Sequence, residues 1–111
     1  MKPSLYTRLQ MAALEDWKYA QKNPAEKLAL IHHFSVTKHQ TNGDFLFEIT
    51  VYEYATPEIG AMRFYAEADK QTNQDLAPFT PVGWGNSLMT ALAECIENLH
   101  RFPYQGPETK G

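Results

Sequence analysis

Residues 29–55 read ALIHHFSVTKHQTNGDFLFEITVYEYA, and the fold turns on them. Two runs rich in β-branched and aromatic residues flank Thr41-Asn42-Gly43-Asp44. Asn-Gly between such runs signals a tight hairpin, because both residues of its turn take positive φ. Strands are therefore predicted over 29–39 and 45–55, joined at Asn42-Gly43. That turn sets Phe34 opposite Val51, Val36 opposite Ile49, Lys38 opposite Phe47 and His32 opposite Glu53.

Working outward, Thr56-Pro57-Glu58-Ile59-Gly60 reads as a turn, and a third strand is predicted over 61–69. Residues 70–86 hold Gln, Asn, Asp, two Pro and two Gly and read as one long loop. A helix follows, capped by Ser87 or Asn86, with Leu88, Ala91, Leu92, Cys95, Ile96 and Leu99 on one stripe. On the N-terminal side Ser4 caps a helix from Leu5, whose stripe holds Leu9, Ala12, Ala13 and Ala20 beside Tyr6 and Trp17. It stops before Asn23-Pro24, since a residue preceding proline is pushed out of the helical region. The tail from Pro103 reads as extended. The expected fold is α+β: helix, three-stranded antiparallel sheet, helix, with both helices on one sheet face. One domain fills 1–111, its ordered core over about 4–102.

Alternation assigns the faces. Leu30, Phe34, Val36, Phe47, Ile49, Val51, Phe64 and Ala66 form the core face. Ile31, His33, Ser35, Thr37, Leu46, Glu48, Thr50, Tyr52, Tyr54, Arg63, Tyr65 and Glu67 form the outer face. Tyrosine offers a large apolar body with a polar tip, which suits an interface. A solvated sheet face and a dimer or partner surface both fit that composition.

The chain has 111 residues, a formal charge of −3 and one cysteine. Hydrophobic residues make up 43% and charged residues 21%, as in ordinary globular domains. The acidic balance argues against nucleic acid, whose binding rests on clustered Lys and Arg. A single cysteine excludes a disulfide framework. No signal-peptide pattern or apolar span is present, so a cytoplasmic setting without membrane contact is the expectation.

Few constellations carry chemistry. His32 and Glu53 share the core face, either as a base with its orienting carboxylate or as a polar pair closing the core. His32, His33 and His39 do not converge on a metal: the first two point to opposite faces, and His33 and His39 stand about 20 Å apart in an extended strand. Cys95 lies on the apolar helix stripe and reads as a small hydrophobe. Gly83-Trp84-Gly85 reads as a loop entering the helix, with Trp84 as a packing plug.

The element order resembles the double-stranded-RNA-binding domain, and Gly83-x-Gly85-x-Ser87-x-x-x-Ala91 is similar to the glycine-rich start of that family's last helix. The resemblance covers residues 4–100 in element order and only this motif in sequence. It implies the α-β-β-β-α architecture. The family's two lysines after the serine are Leu88 and Met89 here, so its phosphate contacts are not implied.

The leading expectation is a small non-enzymatic interaction protein, an accessory protein of the kind carried by mobile genetic elements. It needs no cofactor, catalytic set or metal, and binds a protein partner or itself as a homodimer. The alternative is a module for a cationic or amphipathic small molecule. Its pocket would lie between the helices, the sheet and the 70–86 loop, lined by Trp17, Trp84 and Phe79 with His32 and Glu53 as polar anchors. The candidate binding residues are Tyr52, Tyr54, Tyr65, Trp84, Phe79, His32 and Glu53.

Overall fold

The structure, a computed structural model, describes residues 15–107. It is α+β with one four-stranded antiparallel sheet in the order β1 (Ala29–Gln40), β2 (Gly43–Tyr54), β3 (Phe64–Ala68), β4 (Val82–Gly85). One α-helix follows, α1 (Leu88–Leu99). Among the described residues the expected three strands are thus corrected to four, with one α-helix. A fourth strand lies inside the stretch read as loop. Most of the expected first helix lies outside the described residues, and Asp16–Ala20 forms a 3-10 helix that ends at an extended Gln21.

The hairpin is present with its register moved by two residues. Phe34 faces Ile49, Val36 faces Phe47 and Lys38 faces Phe45. The cause is the turn. Its tip is Thr41-Asn42, with Gln40 opposite Gly43. Neither tip residue takes positive φ; Gly43, at φ 134°, absorbs the reversal as the first residue of β2. Asn42 is held by its side chain, which accepts from Gln40 at 2.8 Å and donates to the Tyr104 carbonyl at 3.2 Å. A two-residue shift preserves parity, so no side chain changes face.

Strand β4 escapes a propensity reading because half of it is glycine. Those glycines are required by α1. A Cβ on Gly83 would meet the Ala91 carbonyl and stand 2.6 Å from the Cys95 nitrogen. One on Gly85 would meet Thr90 Oγ1 and stand 2.7 Å from the Ala91 nitrogen. The helix backbone therefore rests directly on the strand, a common reason for glycine in a sheet. A reciprocal capping box starts the helix: Ser87 Oγ accepts from the Thr90 amide and Thr90 Oγ1 accepts from the Ser87 amide, both at 3.1 Å.

The core lies between α1 and the sheet. Phe47, Ile49, Val51, Ala66, Ala91, Cys95 and Leu99 are fully buried there. Helix α1 sits chiefly over β4 and β3. The β1 members of the expected core therefore fall at its margin: Phe34 and Val36 are half-buried and Leu30 is 42% exposed. Phe64 is half-buried as well.

The start of the tail is tied down. Tyr104 is buried edge-on against Phe45 and Phe47, with ring centroids 4.9 and 5.2 Å away. The Gln40 amide pairs with its backbone as a strand would, donating to its carbonyl at 2.7 Å and accepting from its nitrogen at 2.8 Å. Gln74 does the same for the Gln105 nitrogen and the Gly106 carbonyl.

Candidate functional site

Period-two alternation puts Tyr52 and Tyr54 of β2, Tyr65 of β3 and Trp84 of β4 on the sheet face opposite α1. The register makes a continuous row of them: Ile31, Tyr52, Tyr65 and Trp84 are direct cross-strand neighbours from β1 to β4. The rings touch along the row. Tyr52 lies 6.1 Å from Tyr65, and Tyr65 lies 4.6 Å from Trp84. Tyr54 adds a second ring on β2, 6.1 Å from Tyr52 and nearly parallel to it. Such cross-strand aromatic contacts stabilise the sheet by roughly 0.2–1 kcal/mol each.

The aromatic residues are half-buried, while Ile31 and Leu46 on the same face are 40% and 50% exposed. Burial, then the Glu58 carboxylate, pushes the Tyr54 phenol above its ordinary range. Burial, then Glu67, does the same to Tyr65. Both hydroxyls stay protonated near neutral pH and can donate. Glu48 and Glu67 stand on this face, and none of the four strands contributes a lysine or arginine to it. The aromatic row is apolar, with these two carboxylates on the same face and Arg63, just before β3, beside Tyr54; the strands hold no cluster of cations of the kind a phosphate backbone needs.

On the core side His32 and Glu53 do meet, at 3.0 Å. They are diagonal neighbours, because His32 faces Val51 and Glu53 faces Leu30. The second oxygen of Glu53 lies 3.4 Å from the Lys18 ammonium. The carboxylate is thereby shared between the sheet and the 3-10 helix and holds the two together. Among the described residues no hydroxyl or thiol hydrogen-bonds to either side chain.

The remaining candidates are scattered. Trp84 belongs to β4 on the outer face, so it plugs nothing under α1. Phe79 packs edge-on against Phe102 at 5.1 Å, with the Arg101 guanidinium about 6.0 Å from its ring. Trp17 lies in the 3-10 helix. The small-molecule reading needed Trp17, Trp84, Phe79, His32 and Glu53 around one pocket, and Trp84 lies on the other side of the sheet from His32 and Glu53. The described residues hold no cluster of three or more His, Cys, Asp or Glu arranged for a metal. His39 is paired instead with Asp44 at 2.9 Å.

Cys95 is buried under α1, its thiol directed at the Pro81 carbonyl at 3.5 Å. Burial pushes its pKa up to about 11. At pH 8 only about 0.1% would be thiolate, the reactive form. An aromatic disulfide reagent is therefore expected to leave the native protein unlabelled at pH 8 and to titrate one thiol per chain in urea. Rapid labelling without urea would show that α1 does not seal this site.

Comparison with protein-family models, with curated proteins and with solved structures finds no match. No described helix is long and apolar enough to cross a membrane.

The outer row was readable from alternation as far as the tyrosines. Its fourth member and its continuity were not, because both depend on β4. Lys38 was missed as a structural residue. Its parity places it on the core face, where it is 5% exposed and donates to the Leu99 carbonyl at 2.9 Å and to the Phe102 carbonyl.

Proposed function

We propose that this chain is a small non-enzymatic, cytoplasmic interaction protein that acts as a homodimer and binds a protein partner through the aromatic outer face of its sheet. The observation that carries this reading is the unbroken row Ile31, Tyr52, Tyr65, Trp84, with Tyr54 beside it. Tyr and Trp are the residue types most enriched at binding hot spots, and here they are clustered and pre-packed by one another. Glu48 and Glu67 on that face favour a partner whose rim is basic or neutral. The His32–Glu53–Lys18 cluster is accounted for as an ion-paired tie.

The test is capture of partners from source-cell lysate on tagged wild-type protein and on a Tyr52→Lys variant. Circular dichroism shows whether the variant keeps its sheet. A hot-spot aromatic is worth about 2 kcal/mol or more, so retention is expected to fall at least about thirtyfold. Equal retention of the same proteins by a folded variant would remove the outer face from the function.

A further inference from the structure

We propose that the homodimer forms by antiparallel pairing of β1 with β1 of a second copy, joining two four-stranded sheets into one of eight strands. This deepens the proposed function and rests on its homodimer.

The two edges of the sheet are treated differently. Strand β4 is four residues long and follows Pro81, and its outward Val82 carbonyl accepts from the Asn98 side chain at 2.7 Å. Short length, proline and a covering group are the usual ways of closing an edge. Strand β1 has twelve residues and no proline or glycine. Among the described residues nothing is bonded to its outward backbone groups.

Which groups point outward follows from the register. The two-residue turn makes Gln40–Gly43 a hydrogen-bonded pair, and the bond from the Ala55 amide to the Leu28 carbonyl continues the same phase. Even-numbered residues of β1 therefore bond to β2. Ala29, Ile31, His33, Ser35, Thr37 and His39 present their N–H and C=O groups to the open side.

A guarded edge often carries an inward-directed charge. The one such residue on β1 is Lys38, and its ammonium is drawn beneath the sheet to the carbonyls at the end of α1. It leaves the edge open. The side chains along this edge are also unfinished as a core. On the core side Leu30 is 42% exposed and Phe34 and Val36 are only half-buried; on the outer face Ile31 is 40% exposed.

A second copy fits better than an unrelated strand because β1 is complementary to itself. The fullest overlap places Ala29 opposite the second copy's His39, Ile31 opposite its Thr37 and His33 opposite its Ser35. All are hydrogen-bonded pairs in the phase just derived. On the core side Phe34 then meets the second copy's Phe34 across the twofold axis, at a non-hydrogen-bonded position where side chains are closest. Leu30 lies along the aliphatic stem of the second copy's Lys38, and no two like charges of the pair stand opposite. The axis is perpendicular to the sheet, so the interface is isologous and closed. Both aromatic rows then lie on one continuous face.

The test uses the wild-type chain first. Light scattering gives the mass, and amide hydrogen exchange is followed residue by residue over a range of protein concentrations. Ile31, His33, Ser35 and Thr37 are expected to slow as the dimer forms, while His32, Phe34 and Val36, bonded to β2, are slow throughout. Ser35→Pro removes an outward N–H and nothing from the β2 ladder; it is expected to weaken the dimer at least about tenfold, two bonds being lost across the axis. A monomer at every concentration overturns the pairing and the homodimer together. A dimer whose odd-numbered amides stay fast, and which Tyr52→Lys but not Ser35→Pro dissociates, overturns the edge pairing alone and moves self-association to the aromatic face.

Discussion

Gly83→Ala is expected to destabilise the protein by about 3 kcal/mol or more, through one added methyl group. Overpacking usually costs about 1–3 kcal/mol because neighbouring side chains can shift to new rotamers. That relief is absent at Gly83. The atoms in the way are the Ala91 carbonyl and the Cys95 nitrogen, which belong to the backbone of α1, with Glu94 Cβ at 3.0 Å. The whole helix must lift. Lifting it exposes Ala91, Cys95 and Leu99, all fully buried, and opens the seam above Ile49 and Ala66. Domains of this size are stable by only roughly 5–15 kcal/mol, so much of the margin disappears.

Gly60→Ala is the control. Gly60 has φ 55° and nothing within 4 Å of an added Cβ, so its cost is conformational, about 1–2 kcal/mol. Urea denaturation of the two variants separates close approach from backbone conformation. A Gly83→Ala protein within 1 kcal/mol of wild type, on the scale of an ordinary surface substitution, would mean that α1 is not seated on β4 as described.

The same contact explains why β4 was illegible in the sequence. Strands β1 and β2 declare themselves because apolar and polar residues alternate along most of their length, with Ile31, Leu46, Tyr52 and Tyr54 on the outer face and His32, Lys38 and Glu53 on the core face as exceptions. Strand β4 obeys a different constraint. Gly83 and Gly85 stand where a helix backbone, distant in the reading, comes within van der Waals range, and glycine in sequence signals a loop. Trp84 was misplaced with them. The hairpin shows how far alternation alone reaches. Its turn was set one residue too late and its register two residues off, yet every tyrosine on the outer face and His32 and Glu53 on the inner one kept their sides. Facing partners depend on the turn, and the Thr41-Asn42 tip is held by the Tyr104 carbonyl, some sixty residues along the chain. The tail left no pattern to find, because Gln40 and Gln74 recognise its backbone and not its side chains.

Lys38→Met is expected to cost about 2–3 kcal/mol at neutral pH, and the opposing effects can be weighed. Methionine keeps an unbranched stem of similar length and removes a buried charge, which by itself favours the variant, since burying an ammonium is expensive. Against this, the Leu99 and Phe102 carbonyls lose their donor. A helix leaves its last four carbonyls without intrahelical partners, and a buried acceptor left bare costs about 1–3 kcal/mol. The loss at the buried Leu99 carbonyl and the smaller one at the part-buried Phe102 carbonyl beyond the helix, together with the lost attraction of a cation for the negative end of α1, outweigh the relief.

The pH dependence supplies the sharper check. Burial holds the Lys38 ammonium below the ordinary lysine value of 10.5. Between the lowered value and 10.5 the unfolded chain holds a proton that the folded chain has released. Folding stability from this group therefore rises with pH across that window. Tyr54, Tyr65 and Cys95 shift the other way, and their contributions fall as pH rises. Wild type and Lys38→Met share those three groups, so the difference between them isolates the lysine. Urea midpoints measured from pH 7 upward should show the gap between the two proteins widening toward pH 10.5. A gap that narrows instead would mean that the two carbonyls hold the proton on Lys38 more firmly than burial expels it, and that the latch between β1 and the end of α1 is at its strongest when charged.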